Sequence, residues 1–381
     1  SKLTQIIKLL LLFNKKFKSL SLHSMEEKKF IFKSSSAINH RATWQAPSNI
    51  ALVKYWGKYG DQLPKNPSIS FTLSKCVTKT TVEFTPRLSE NDPWFSFLFE
   101  NKQQVDFHPK IKQFLDRISI YMPGIKFQHM SIISSNSFPH SSGIASSASA
   151  MAALALCLMD WEKKLNPVLD DGLFKTKASF LARLGSGSAA RSIEGPLTVW
   201  GENATFKNST DIYAVPLTSK IHNVFYNFQD TILIVDQGTK KVSSSLGHQL
   251  MNGHPFAENR FLQANDNCEL LSKILVSGDL DAFIEVVESE ALTLHSMMMT
   301  SSPRFILMQP NTLTVINKIL DFRAATQLPL CFTLDAGANV HLLYPETHAP
   351  AIKIFIQEEL SQHCEAGQFI EDQVGQGAKK L

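Results

Sequence analysis

Residues 134–151 read Ser-Ser-Asn-Ser-Phe-Pro-His-Ser-Ser-Gly-Ile-Ala-Ser-Ser-Ala-Ser-Ala-Met. A polar loop carrying Pro139 and Gly143 runs directly into an alanine-rich helical pattern from Ala145 to Trp161. The first turn of a helix leaves backbone N–H groups unpaired, and the helix dipole favours negative charge there. Small side chains let a phosphate approach that backbone closely, and Ser146 and Ser147 add hydroxyl donors. The chain has no G-x-x-x-x-G-K-[ST] string, so a triphosphate cradle at this place works without a Walker lysine. A Ser-capped helix after a Gly/Pro loop, with no ligand, satisfies the same pattern.

The chain around this stretch has 381 residues, enough for two domains with separate cores. Hydrophobic residues make up 44% and charged residues 19%, the proportions of a globular enzyme. The formal net charge of +4 is unevenly spread. Residues 1–40 hold eight lysines and two glutamates, or +6, so the remainder carries 4 − 6 = −2. A body so close to neutral does not fit nucleic-acid binding, and anionic ligands are expected to meet local cations and helix termini instead. Cys76, Cys157, Cys268, Cys331 and Cys364 form no C-x-x-C pair or Cys/His cluster. Several sit in apolar surroundings, as buried free thiols of a reducing compartment do.

Residues 1–40 differ in character from the rest. Ile6–Phe13 is apolar but contains Lys8 and is too short to span a bilayer. No A-x-A-like cleavage site follows. The segment is expected to be an N-terminal extension outside the core, with the functional protein beginning near Met25.

From Arg41 the pattern turns β-rich. Ala42–Ala46, Ile50–Tyr55, Ile69–Leu73, Val77–Phe84 and Trp94–Phe99 read as strands. Ile111–Tyr121 has helical spacing, Ile125–Ser134 returns to strand, and Leu173–Leu184 is a helix ending at Gly185. Leu197–Trp200 is a short strand, and the polar stretch Gly201–Asp211 marks a surface loop. The β-branched run Thr231–Val235 opens a second domain, dividing the chain into 41–225 and 226–381. His248–Met251, Pro255–Ser277, Leu280–Met298 and Pro310–Ala325 are predicted helices. Leu328–Leu334 and Val340–Tyr344 are predicted strands, followed by an amphipathic Ala351–Leu360. Strands mixed with helices, without strict βαβ alternation, predict an α+β fold.

Three charged residues stand out within this pattern. Lys54 lies between Val53 and Tyr55 in an apolar run, and lysine is rarely buried unless paired. Asp335 ends a buried strand before Ala336 and Gly337, where it could equally close an Asx-turn. Arg191 follows Gly185-Ser186-Gly187-Ser188, where a guanidinium suits bidentate carboxylate or phosphate binding, although the residues by themselves read more readily as a surface arginine. Lys240, Lys241 and Ser243–Ser245 form a basic, polar patch that reads either as a solvated turn or as a phosphate contact. His295 and Met297–Met299 read as core or pocket wall.

Four strings taken together carry more than any one. These are Asn49-Ile-Ala-Leu-Val-Lys-Tyr-Trp-Gly-Lys58, the serine loop, Gly185-Ser-Gly-Ser-Ala-Ala-Arg-Ser192 and Leu334-Asp-Ala-Gly-Ala-Asn339. In composition and order they resemble the mevalonate diphosphate decarboxylase family of the GHMP kinase superfamily, over roughly residues 42–350. The resemblance implies an α+β, two-domain GHMP kinase-like fold. Its first domain would be similar to ribosomal protein S5 domain 2, its second ferredoxin-like, with the active site in the cleft between them. It implies an ATP- and Mg2+-dependent decarboxylation of mevalonate 5-diphosphate to isopentenyl diphosphate.

The resemblance also implies roles. Asp335 corresponds to the catalytic aspartate, Lys54 would point into the cleft near it, and Arg191 would hold the substrate carboxylate. Asn49, Tyr55, Trp56, Lys58, Ser186, Gly187 and Ser188 would bind substrate, with plain core packing as the other reading of Tyr55 and Trp56. Asn136, Ser141, Gly143, Ala145, Ser146 and Ser147 would bind ATP. A dedicated metal-ligand set is not expected. The enzyme would be a cytoplasmic homodimer acting on a small molecule, without nucleic-acid or membrane partners. His140-Ser141-Ser142 departs from the usual pattern and adds a titratable group beside the loop. Three rival readings stand: a superfamily kinase that stops at the phosphorylated product, a decarboxylase acting on a mevalonate monophosphate, and a non-catalytic binding member. Carbon dioxide release and a monophosphate/diphosphate comparison separate them.

Overall fold

Two stretches that each read as a pair of short strands are single long ones. In the computed structural model, which describes residues 25–89, 91–139, 144–217, 219–238 and 244–381, β1 (His40–Val53) joins two of the expected runs. After the small hairpin of β2 (Lys58–Tyr59) and β3 (Leu63–Pro64), β4 (Ser68–Pro86) joins two more. Bulges explain the misreading. The pairing of β1 with β4 steps from Pro47↔Val77 to Asn49↔Thr72, and again from Ala51↔Ser70 to Val53↔Ile69. Each step interrupts the period-2 pattern without ending the strand.

The first domain continues with β5 (Phe95–Phe99), β6 (Lys102–Gln103), α1 (His108–Ile118) and β7 (Gln128–Asn136). The expected strand at Ile125 begins three residues later, because Pro123–Phe127 forms a 3-10 turn around Pro123 and Gly124. Next come α2 (Ser146–Leu165), α3 (Asp171–Gly185), β8 (Leu197–Trp200) and β9 (Val215–Pro216). The sheet runs β14-β1-β4-β7-β5-β6, with β8 pairing β4 and β9 pairing β8. The alanines of α2 let it lie close against the sheet: Thr78 and Ser149 hydroxyls meet at 2.6 Å, and Cys157 Sγ sits 3.4 Å from the Thr80 carbonyl.

The second domain holds β10 (Gln229–Leu233), α4 (Ser244–Gln249), α5 (Ala257–Ser277), α6 (Leu280–Met299) and α7 (Pro310–Thr326). It continues through β11 (Cys331–Thr333), β12 (Val340–Tyr344), α8 (Ala349–Phe355) and β13 (Phe369–Gln373). Its sheet order, β11-β12-β10-β13, with helices between β10 and β11 and between β12 and β13, is the ferredoxin-like βαββαβ arrangement. The helix expected to reach Leu360 is α8 followed by a π-helical turn at Ile356–Leu360. No described helix is long and apolar enough to cross a membrane.

Both ends of the chain depart from the expected division. Residues 25–40 are not outside the core. Phe30 is buried and stacks on Phe180 at 4.5 Å. Glu27 pairs with the fully buried Arg183 at 3.1 Å and accepts from the Tyr121 hydroxyl at 3.0 Å. The expectation for residues 1–24 lies outside the described residues. At the other end, β14 (Lys379–Lys380) returns to the first domain and pairs with Trp44 and Gln45 of β1. Asp372, at the end of β13, takes the backbone N–H groups of Ser74, Lys75 and Cys76 at 2.7–3.0 Å, filling the gap left by the first bulge. Because Phe30 closes the core of the first domain, Phe30→Ala is expected to cost about 3–5 kcal/mol of stability. Urea unfolding of the variant reads this; an unchanged midpoint at unchanged slope would mean that residues 25–40 only rest on the surface.

Candidate active site

β1, the Gly187–Ser192 turn, the start of α2 and the end of β11 converge on a cavity of about 400 Å³. Lys54 follows directly after β1, and the second bulge in that strand sets its direction. It is 1% exposed, and its Nζ lies 3.1 Å from Asp335 Oδ1. Burial pushes its pKa down, against the pull of Asp335. Asp335 follows β11 after Leu334, and its carbonyl accepts from Gly337 N–H at 2.8 Å and contacts His295 Nε2 at 3.0 Å. His295 is thus a buried core residue behind Asp335, held neutral at a pKa of about 4 by burial.

The backbone of Lys54 is clamped at both polar groups. Its N–H donates to Glu290 Oε2 at 2.8 Å; its carbonyl accepts from Asn66 Nδ2 at 2.9 Å and Arg260 at 3.2 Å. Glu290 and Arg260 form a fully buried pair at 2.5 Å, and Asn267 donates to Glu290 at 2.6 Å. Sequence reading missed these residues. The signal was present: Glu290 shares the buried face of α6 with Phe283, Val286, Val287 and Leu294, and Arg260 that of α5 with Phe261, Ala264 and Cys268. A charge at a core position requires a partner.

Arg191 is 3% exposed. Asn49 Oδ1 accepts from its Nε and one terminal nitrogen at 3.3 Å each, and the other terminal nitrogen donates to Ser68 Oγ. A guanidinium has five N–H donors, so further donors remain for a ligand. Its face lies 5.8 Å from the Trp200 ring centroid. Burial lowers its pKa to about 10, which leaves it charged at neutral pH. Asn49 also donates to Ser188 O and Ser192 Oγ at 3.2 and 2.8 Å. It lines the cavity, but its amide is engaged in holding Arg191 and its turn, a supporting task that the expected substrate contact did not describe.

Tyr55, Trp56, Lys58, Ser186, Gly187 and Ser188 line the same cavity, with Gln62, Lys110, Gln113 and His248. A Cβ at Gly187 would come within 2.8 Å of Tyr55 Oη and 2.9 Å of the Trp200 ring, so only glycine lets the turn pass. Among the described residues, Tyr55 Oη and Trp56 Nε1 are buried without hydrogen-bond partners. An unpaired buried donor is costly, and for Tyr55, on the cavity wall, a bound ligand would relieve that cost.

Ala145, Ser146 and Ser147 also line the cavity, and Ser147 Oγ lies 3.3 Å from Ser186 Oγ. Ala145 caps α2 in a left-handed conformation, φ +45°, a strained choice for alanine. Asn136 is not part of this wall. The β4–β7 pairing sets it opposite Thr78, whose hydroxyl donates to its Oδ1 at 2.7 Å, and Glu100 takes its N–H. Ser141 and Gly143, with His140, Lys240, Lys241 and Ser243, lie outside the described residues; Ser245 lines the cavity.

The cleft therefore offers a carboxylate beside an ammonium, a second buried cation with spare donors, and a helix start open to phosphate. Such a combination suits phosphoryl transfer to a hydroxyl on an anionic molecule. Comparisons agree with this chemistry. Residues 46–213 match the family model of the diphosphomevalonate decarboxylase-like N-terminal domain, and residues 231–380 that of the mevalonate 5-diphosphate decarboxylase C-terminal domain. Diphosphomevalonate decarboxylase of Candida albicans is 28% identical, over 81% of this chain and 85% of its own length. Phosphomevalonate decarboxylase of Haloferax volcanii is 27% identical, over 82% and 91%. Among solved structures, MDDEF in complex with MVAPP, AMPPCP and magnesium has a TM-score of 0.77 at 28% identity, covering 90% of this chain and 99% of that one. The chain belongs to the mevalonate diphosphate decarboxylase family.

Proposed function

We propose that the chain catalyses the ATP-dependent decarboxylation of mevalonate 5-diphosphate to isopentenyl diphosphate, with release of ADP, phosphate and carbon dioxide, in the mevalonate pathway of isoprenoid biosynthesis. The observation that carries this reading is the Lys54–Asp335 contact of 3.1 Å on the wall of a cavity shared with Arg191 and the start of α2. Asp335 accepts the proton of the substrate's C3 hydroxyl, and the Lys54 ammonium steadies the charge that passes between them. Arg191 holds the carboxylate that departs as carbon dioxide, and Lys58 meets the diphosphate. Tyr55 and Trp56 keep water from the electron-poor carbon that forms as phosphate leaves and the C–C bond breaks.

ATP fits the residues present: its phosphates meet the open N–H groups of α2 and the hydroxyls of Ser146 and Ser147. When bound with Mg2+, it supplies the phosphoryl group that turns the C3 oxygen into a leaving group. No group of three His, Cys, Asp or Glu side chains is arranged for a metal among the described residues, and Mg2+ commonly binds through phosphates and one or two carboxylates. Replacing Ser146 and Ser147 together by Ala is expected to weaken ATP binding by about 1–3 kcal/mol while the helix persists, since Ala is a strong helix former. Titration of ATP against the double variant measures it; equal affinity would return these serines to simple helix-start residues.

A mevalonate monophosphate is the second candidate substrate, favoured by the likeness to the Haloferax volcanii enzyme. Coupled assays of ADP and carbon dioxide release with each phosphate form decide between the two, and ADP without carbon dioxide would make the protein a kinase. The reading extends to a cytoplasmic homodimer with domains meeting near residues 225 and 226. Five buried free cysteines support a reducing compartment, and sedimentation would report the dimer.

A further inference from the structure

His248 enters the cavity from α4, and neither the resemblance nor the chemistry above gives it a task. The residue is 7% exposed and lines the cavity beside Lys58 and Arg191. Its ring is flanked by Tyr55 at 4.2 Å and Trp56 at 4.8 Å between centroids. The preceding residue fixes this arrangement: a Cβ at Gly247 would stand 2.6 Å from the Trp56 ring, so α4 can press against Trp56 only with glycine there. The backbone N–H of Gly57 donates to His248 Nδ1 at 3.0 Å.

That contact determines the tautomer. A nitrogen that accepts cannot carry the proton in a neutral imidazole, so the proton sits on Nε2. The ring is neutral at physiological pH: burial, with Lys58 and Arg191 acting in the same direction, lowers its pKa to about 3. No described residue pairs with Nε2. A neutral ring among cations thus keeps one spare N–H on the wall of an anion-binding cavity.

We propose that His248 is a positioning and specificity residue for the substrate, its Nε2–H donating to an anionic oxygen held between Lys58 and Arg191. The proposal rests on the reading of the cavity as a substrate site. The oxygen belongs either to the diphosphate or to the carboxylate, and a neutral donor serves both, adding direction where the two cations supply charge. Being neutral, it does so without adding a third repelling charge to the empty site.

The test uses two variants and one resonance. In His248→Asn the shorter amide can still accept from Gly57, while the donor at the Nε2 position is lost. His248→Gln reaches that position with an amide N–H. With mevalonate 5-diphosphate, His248→Asn is expected to raise KM about 10–100-fold, as for loss of one hydrogen bond to a charged oxygen, with kcat little changed. His248→Gln is expected to recover most of the loss. Unchanged KM in His248→Asn, or equal damage in both folded variants, overturns the proposal.

Independently of turnover, the 15N-labelled wild-type protein should show the Nε2–H tautomer. Its resonance should move on addition of mevalonate 5-diphosphate. A shift with inorganic pyrophosphate assigns the contact to the diphosphate, and a shift with mevalonate to the carboxylate. A resonance that moves with none of the three overturns the proposal. Should the wild-type protein release no ADP or carbon dioxide from mevalonate 5-diphosphate, the catalytic reading fails, while the titrations still decide what His248 does.

Discussion

Asp335→Asn is expected to lower turnover about 10²–10⁴-fold while substrate and ATP affinities change little. The substitution keeps the shape of the side chain and leaves an oxygen that can still accept from Lys54 Nζ, now 3.1 Å away. The turn is also kept, because it rests on the Asp335 carbonyl, which Gly337 and His295 contact. What is removed is the capacity to take a proton. Steady-state ADP release with mevalonate 5-diphosphate, paired with binding titrations, reads the two quantities separately. Near-normal turnover would remove Asp335 from the chemistry. A loss confined to affinity would make it a binding group and leave the proton acceptor unidentified.

Glu290→Ala is expected to be the most destabilising single change near the site. Glu290 and Arg260 have no exposed side-chain surface, and removing one member of a buried pair typically costs about 3–5 kcal/mol because the other is left charged and unpaired. That is a large share of a total stability of about 5–15 kcal/mol. The Lys54 N–H and the Asn267 amide also lose their acceptor. Turnover of whatever remains folded should fall as well, since Lys54 loses one of its backbone clamps. Glu290→Leu combined with Arg260→Met should recover part of the stability, because no uncompensated charge remains, but not the turnover. Urea unfolding curves and ADP release on the same samples test both parts. A single variant as stable as wild type would mean that the pair contributes nothing net.

The parts of the fold legible in the sequence were those with uninterrupted periodicity. α2, α6 and α7, and strands such as β8 and β12, lie within a few residues of the expected spans. The long strands were not legible as units, because a bulge breaks period-2 alternation locally while the ladder continues on either side. β13 reads Phe-Ile-Glu-Asp-Gln, with no alternation of its own, and becomes a strand because β10 pairs with it from Gln229↔Gln373 to Leu233↔Phe369.

The site follows the same division. A lysine in an apolar run demands a partner, so Lys54 was visible, but that its partner lies 281 positions away is a property of packing alone. Asn49 shows the opposite limit. Its polar group was legible, but whether it serves a ligand or Arg191 depends on a turn that folds against it from residues 188–192. Asn136 was legible as a polar residue before the serine loop, but strand register sets its side chain against Thr78 and off the cavity wall.

β14 has a consequence for how the protein is made. It covers the edge of β1 at Trp44 and Gln45, and Lys380 anchors it to Asp160 at 2.8 Å. A ribosome delivers β1 early and β14 only after both domains have been synthesised. Throughout elongation the nascent first sheet therefore presents an open edge, the kind of surface on which neighbouring polypeptides can pair. Emergence of β14, rather than folding of the first domain, is the moment at which that edge is sealed.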